Sequence, residues 1–192
     1  MKRMIVLALA VVGMCMATTA SASANLFHAS KTGKLLGLSE GTQVFTTSSG
    51  GTAVKCEHAA TTGTVTALLA LHQLVTVVYT KCTVEGFPAD ITPAQFLLSA
   101  DGLAAVENTI TIVALLPVIL GGTCTIKVGP QDLGTSKYDK DPLNSAALLQ
   151  LAAVTGITST GSGGACGTGE LIGGTYTGNN LIILDGGSLS WL

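Results

Sequence analysis

Charged side chains are scarce in this 192-residue chain: Asp, Glu, Lys and Arg make up 10% of it, where about 25% is usual for a soluble domain. Nucleic acid and anionic lipid surfaces both demand clustered Lys and Arg. The few basic residues here are dispersed, which argues against either partner. Aromatic residues are as sparse, at 4%, and no group of them forms a platform for carbohydrate. Histidine occurs three times, at His28, His58 and His72. There is no Cys-x-x-Cys, which removes the zinc ribbon and the thioredoxin-type redox pair. Long apolar runs are missing too. The stretch ITIVALLPVIL at 110–120 is interrupted by Pro117 and falls short of the roughly 18–20 residues of a spanning helix. It reads as a core strand, so no membrane span is expected in the mature chain. Composition argues against disorder, since hydrophobic residues reach 47% and such a chain collapses.

What the sequence does contain begins at its start. Lys2 and Arg3 precede an apolar stretch at 4–16, and Ala22-Ser23-Ala24 places small residues at −3 and −1 of a cleavage point before Asn25. This is the pattern of a secretory signal peptide. Residues 1–24 are therefore expected to be removed near Ala24-Asn25, leaving 25–192 as a single β-rich exported domain, secreted or held in the cell envelope or periplasm. Cys15 follows Met14, where a lipobox takes a small residue, so lipidation there is not expected. Lys2 and Arg3 leave with the leader, so seven basic residues face 11 acidic ones, a net charge of −4. The mature length is that of one ordinary domain, long enough to bury a core unaided.

Export changes how the cysteines read, because thiols oxidise outside the cytoplasm. Cys56, Cys82, Cys124 and Cys166 survive processing, and an even number suggests two disulfides. Three pairings are open. Cys56–Cys82 with Cys124–Cys166 is favoured, because each pair brackets hairpin-like strands and closes the shorter loops.

The periodicity is that of short strands. Residues 25–51 are expected to be partly flexible, with one short strand around 43–46. TAVKCE at 52–57 alternates like a half-buried strand, and 64–71 and 74–80 are β-branched and apolar on either side of His72-Gln73. Asp101-Gly102 between 95–100 and 103–107 is a strong hairpin signal, since Gly accepts the positive φ of a type I′ turn. Further strands are expected at 109–114, at 123–128 (TCTIKV), at 173–177 and at 181–185, the last two joined by Asn179-Asn180. Residues 145–154 can be read two ways, as a short helix capped by Asn144 or Ser145 or as a buried strand. Many short strands with regular turn signals predict an all-β, mainly antiparallel fold, a sandwich or a partly open barrel.

Several short motifs recur in order along the mature chain: Lys55-Cys56, Tyr79-x-x-Cys82, Cys124-x-Ile126-x-Val128, Gln131-x-Leu133 with Tyr138, and Gly174-x-Tyr176-x-Gly178. In this layout the chain resembles a loose group of secreted proteins of unknown function found chiefly in actinobacteria. The resemblance covers roughly 51–178. It implies a β-rich exported domain with two disulfides and carries no activity with it. The Ala/Leu-rich stretch at 143–154 departs from that pattern.

No constellation carries catalytic chemistry. His58, two residues from Cys56, reads as a surface histidine near a disulfide, and His72 as a turn residue. Gly161-Ser162-Gly163 lacks the Gly-x-Ser-x-Gly spacing of a nucleophile elbow. Gly167-Thr-Gly169-Glu-Leu-Ile-Gly173 has the wrong spacing for a dinucleotide loop, and follows a Gly-rich loop where a strand is required. Asp139, Asp141 and Asn144 group oxygen donors as calcium sites do, but Pro142 and the missing distal Glu favour a solvated turn. No carboxylate pair can be nominated for glycoside chemistry. The expectation is a non-catalytic cell-envelope structural or binding protein with no cofactor, catalytic residue or metal site. The alternative is an extracellular carrier of a small apolar ligand held between two sheets, and a hydrolase with an unrecognised site comes last. The stretch at 110–120 separates the first two: packed against the opposite sheet it supports a structural role, lining an apolar cavity it supports a carrier.

Overall fold

The computed structural model of the protein describes residues 25–48, 51–141 and 147–191. The expected leader at 1–24 lies outside the described residues, as do Pro142, Asn144 and Ser145. The strands are β1 Phe27–Ala29, β2 Gly33–Thr46, β3 Ala53–Val65, β4 Leu69–Ala70, β5 His72–Val84, β6 Phe87–Ile91, β7 Ala94–Ser99, β8 Leu103–Val106, β9 Ile110–Leu115, β10 Thr123–Val128, β11 Gln131–Lys140, β12 Ala147–Ser162, β13 Gly169–Leu184 and β14 Leu189–Trp191. Every pairing among them is antiparallel.

Eleven strands form one sheet that closes on itself. Closure depends on two long strands that change partner along their length. The first half of β5 pairs with β7 and its end with β6. The first half of β12 pairs with β11 and its end with β10. With β3, β2 and β13 shared, two circuits are stacked end to end. One runs through β7, β8 and β11, the other through β6, β9 and β10. Each circuit passes through eight strands, a size at which side chains alone can fill the interior. The architecture is thus a closed barrel, more specific than the sandwich or partly open barrel expected from sequence. It is closed because antiparallel edges otherwise expose unpaired N–H and C=O groups, and pairing all the way round removes them.

The ends are finished differently. At the β7/β8/β11 end a small sheet of β14, β1 and β4 lies across the opening. Phe27 and Leu189 are buried there, and Tyr138 packs edge-on against Phe27 with ring centroids 5.3 Å apart. The Trp191 Nε1–H donates to the Ala100 carbonyl. At the other end Cys56 is bonded to Cys82 directly across β3 and β5, and Cys124 on β10 to Cys166 in a 3₁₀ turn, Gly164–Cys166.

One open reading is decided and three local expectations are corrected. Residues 147–154 are strand, not helix: Leu148, Gln150, Ala152 and Val154 are buried in alternation on β12. Period-2 burial with ladder bonds on both sides outweighs the weak helix preference of Ala and Leu. Asn179-Asn180 is no turn, since β13 runs unbroken through it and Asn180 is buried inside the barrel. The β7–β8 hairpin does turn at Asp101-Gly102, but only Gly102 has positive φ, at +92°. A type I′ turn needs both central residues there. The Asp101 carboxylate instead accepts the Leu103 N–H at 3.1 Å. Residues 25–46 also hold more strand than expected, with β2 alone spanning 14 residues.

Candidate functional site

Inward positions of the shared strands bring three polar side chains together at mid-barrel. Gln43 comes from β2, Tyr79 from β5 and Tyr176 from β13. The Tyr79 hydroxyl donates to the Tyr176 hydroxyl at 3.4 Å, and Tyr176 donates to Gln43 Oε1 at 2.6 Å. The Gln43 Nε2 donates to the carbonyls of Gly41 and Asn179, each at 3.3 Å. Gly178 explains how a glutamine fits on this wall: a β-carbon there would collide with the Gln43 amide. Burial pushes the Tyr79 hydroxyl well above its ordinary value, and the adjacent Tyr176 adds to the effect. Burial raises Tyr176 as well, with Tyr79 and Asn180 offsetting part of it. Both phenols are therefore neutral hydrogen-bond donors at physiological pH. Neither can act as a general base there.

This layer separates two small cavities. On the disulfide side an apolar cavity of about 60 Å³ is lined by Phe45, Val54, Ile110, Ile112, Val128 and Ile157, among others. On the cap side a cavity of about 30 Å³ is lined by Thr61, Ser136, Gln150 and Asn180. Thr61 Oγ1 and Asn180 Oδ1 are buried there without a hydrogen-bond partner. Pockets for drug-sized ligands span roughly 300–1,000 Å³, and an apolar cavity of about 150 Å³ is what holds a single benzene ring. The larger cavity here is under half of the latter. The interior is filled by side chains, with room for groups of water or methyl size.

The residues singled out from sequence are scattered. Cys56 meets Cys82 and Cys124 meets Cys166, all four buried. His58 is exposed, 4.0 Å from Glu57, which also takes Lys81 at 3.1 Å; such exposed pairs contribute little. His72 opens β5 and is not in a turn. Its Nδ1 lies 2.8 Å from Ser99 Oγ, but among the described residues no carboxylate is paired with the imidazole as a catalytic triad requires. His28 sits in β1 opposite Ser190 and Leu69. Ser162 ends β12 opposite Thr125, and Gly167-Thr-Gly169 leads into β13, with no strand-to-helix turn around it. Asp139 accepts its neighbour's N–H, that of Lys140, at 2.7 Å. Among the described residues no group of three or more His, Cys, Asp or Glu is placed to hold a metal ion, and no helix is long and apolar enough to cross a membrane.

The stretch at 110–120 divides. Ile110, Ile112, Ala114 and Leu116 point inward and are buried. Pro117 ends the pairing because it has no N–H to offer. Beyond it Val118 is 90% and Ile119 92% exposed, with Leu115 at 74%. A second aliphatic surface lies outside the barrel wall. Strand register sets Leu181, Leu38, Ala60 and Val78 in one row across β13, β2, β3 and β5.

Gln43, Tyr79 and Tyr176 were not anticipated as a group. Their one sequence signal is that Tyr79, Tyr176 and Gly178 all fall within the recurring motifs. Comparison with known proteins finds no matching family model, no curated relative and no solved structure of significant similarity.

Proposed function

We propose that the chain is an exported, non-catalytic protein of the cell envelope that works through its outer surface. The observation that carries this reading is the reversal of the usual apolar arrangement at 110–120. Half of the stretch fills the barrel, and the other half stands in solvent with its aliphatic side chains uncovered. Inside, the polar side chains bond to one another, and the space left is far below that of a ligand pocket. The histidines lie apart: His58 has Glu57 beside it and His72 has Ser99, and among the described residues neither has both a hydroxyl and a carboxylate arranged around it.

The test is fractionation of exporting cells, followed by a screen of the purified protein against ester, peptide and glycoside substrates. The protein is expected with the envelope fraction, with no turnover that His58→Ala or His72→Ala abolishes. Recovery wholly in the free medium, or turnover lost in either variant, overturns the proposal.

A second reading, carriage of a small apolar molecule, draws on Ile110 and Ile112 lining the apolar cavity beside the Tyr176 hydroxyl. It requires the interior to swell several-fold. Mass spectrometry of organic extracts from the purified protein would favour it if one apolar molecule were recovered per chain.

A further inference from the structure

The turn between β9 and β10 exposes Leu115 and then Pro117, Val118, Ile119 and Leu120, with Leu116 buried between them. We propose that this turn is a finger that dips into the hydrocarbon edge of a lipid bilayer and holds the barrel on a membrane surface without spanning it. The proposal deepens the envelope reading above and rests on it.

Three features favour lipid over a protein partner. The first is the backbone. A segment entering hydrocarbon must satisfy its own N–H and C=O groups. Leu116 N–H donates to Gly122 O at 3.1 Å, Leu120 N–H to Pro117 O at 2.8 Å, Gly121 N–H to Val118 O at 3.0 Å and Gly122 N–H to Pro117 O at 3.3 Å. Pro117 has no N–H to satisfy. Of the six N–H groups from Leu116 to Gly122 these bonds take up four, and those of Val118 and Ile119 are left to the hydrated edge of the bilayer.

The second feature is charge. No charged residue occurs from Asn108 to Ile126. Across the ladder Asp90 lies opposite Val113, well back from the tip, and Glu85 at the same end faces the 3₁₀ turn beside Ala165 and Cys166. Protein hot spots are built from Trp, Tyr and Arg inside a polar rim, and the finger has none of these. A neutral hydrocarbon phase asks for none.

The third is area. The five side chains, of which Leu120 is only 38% exposed, offer well under the about 800 Å² that a stable protein interface takes from each partner. Insertion into a fluid phase has no such threshold and suits a convex tip. The finger is also stiffly mounted. Gly121 lies against Gly164 so closely that a β-carbon on Gly164 would come 2.7 Å from the Gly121 Cα. Gly164 in turn belongs to the turn that Cys166 ties to Cys124.

The experiment compares the exported chain with its Ile119→Asp and Ile119→Trp variants on phosphatidylcholine vesicles. At 92% exposure, position 119 tolerates either change without loss of fold, which circular dichroism checks. Flotation should fall at least tenfold for Ile119→Asp, since one aliphatic side chain transferred to hydrocarbon is worth about that factor. Because no basic residue takes part and the mature chain is net negative, adding anionic lipid should not raise flotation and raising the salt should not lower it. The Ile119→Trp emission should shift to the blue with vesicles and be quenched by lipids brominated on the acyl chain. Trp191, at the opposite end, serves as the constant background. Flotation unaffected by Ile119→Asp, or an unquenched Trp at 119, overturns the finger. If the chain fractionates with intact envelopes but ignores vesicles, the finger fails and the envelope reading stands, pointing to a protein or glycan partner. If it does neither, both fail.

Discussion

Raising the pH should leave the tyrosines of this protein silent until the barrel opens. The chain has three tyrosines, and all three lie in the interior or under the cap with hydroxyls raised above the ordinary 10.0. Burial pushes the Tyr138 hydroxyl up to about 12. The charge of Asp101 adds to this and Ser136 offsets part, though the Tyr138 hydroxyl has no partner within hydrogen-bond geometry.

A phenol held at a raised pKa when folded contributes stability that is fully present below the unfolded value of about 10 and is lost as the pH climbs through the folded value. For Tyr138 the two-unit difference amounts to about 2.7 kcal/mol at high pH. Tyr79 and Tyr176 act in the same direction. Domains of this kind have only about 5–15 kcal/mol to lose. Unfolding should therefore set in above pH 10 and be steep. The assay is absorbance at 295 nm, which reports tyrosinate, followed alongside circular dichroism during a pH titration. The two signals should change together, with no tyrosinate step near pH 10. A tyrosine that ionises near pH 10 while the β spectrum stays native would refute the burial argument.

Other perturbations separate the parts of the interior. Tyr176→Phe leaves the Gln43 Oε1 without its donor and should cost about 1–3 kcal/mol in urea unfolding, whereas Tyr79→Phe gives up only a 3.4 Å contact and should cost about 1 kcal/mol or less. Gly178→Ala drives a β-carbon into the Gln43 amide and should cost about 1–3 kcal/mol; combining it with Gln43→Ala should cost less than the sum of the two changes, and strict additivity would show that the contact is not what matters. Replacing both cysteines of a pair by serine should remove about 3.5 kcal/mol for Cys56–Cys82 and about 3.9 kcal/mol for Cys124–Cys166 in the chain-entropy model, given sequence separations of 26 and 42. Equal midpoints for parent and variants would contradict both values.

Much of the strand content is legible because half-buried strands announce themselves by alternation. TCTIKV at 123–128 places Cys124, Ile126 and Val128 on the buried face of β10, as its pattern implies. Closure is not legible, because it is written in no local segment. That β5 serves β7 and then β6, and β12 serves β11 and then β10, depends on pairings between residues far apart in the chain. The same non-locality hid the Gln43–Tyr79–Tyr176 layer, whose members are 36 and 97 positions apart. Where sequence and structure disagree, tertiary burial outweighs a local preference. Asn179-Asn180 carries turn chemistry, yet Asn180 is placed inside the barrel, where its Nδ2 faces Gln150 Oε1 at 3.5 Å. In 147–154 the helix-forming Ala and Leu serve equally well as small and large fillers of a barrel wall.

The two ends of the barrel solve the problem of closure by different means, and the difference bears on the surface proposed to act. At the cap end Phe27, Leu189 and Trp191 supply apolar area, recruited from the segments that flank the first and last long strands. Among the described residues the opposite end has no such covering sheet. There the barrel is fastened covalently, by one disulfide across β3 and β5 and another from β10 to the turn that follows β12. A cap sheet over that end would bury the β9–β10 turn or block its approach to a surface. Covalent fastening leaves the turn free to protrude while holding its base, since Cys124 is the second residue of the descending strand and the Gly164–Cys166 turn packs against Gly121. Closing this end with cystines keeps the aliphatic tip both exposed and rigid, a combination that hydrophobic covering could not supply.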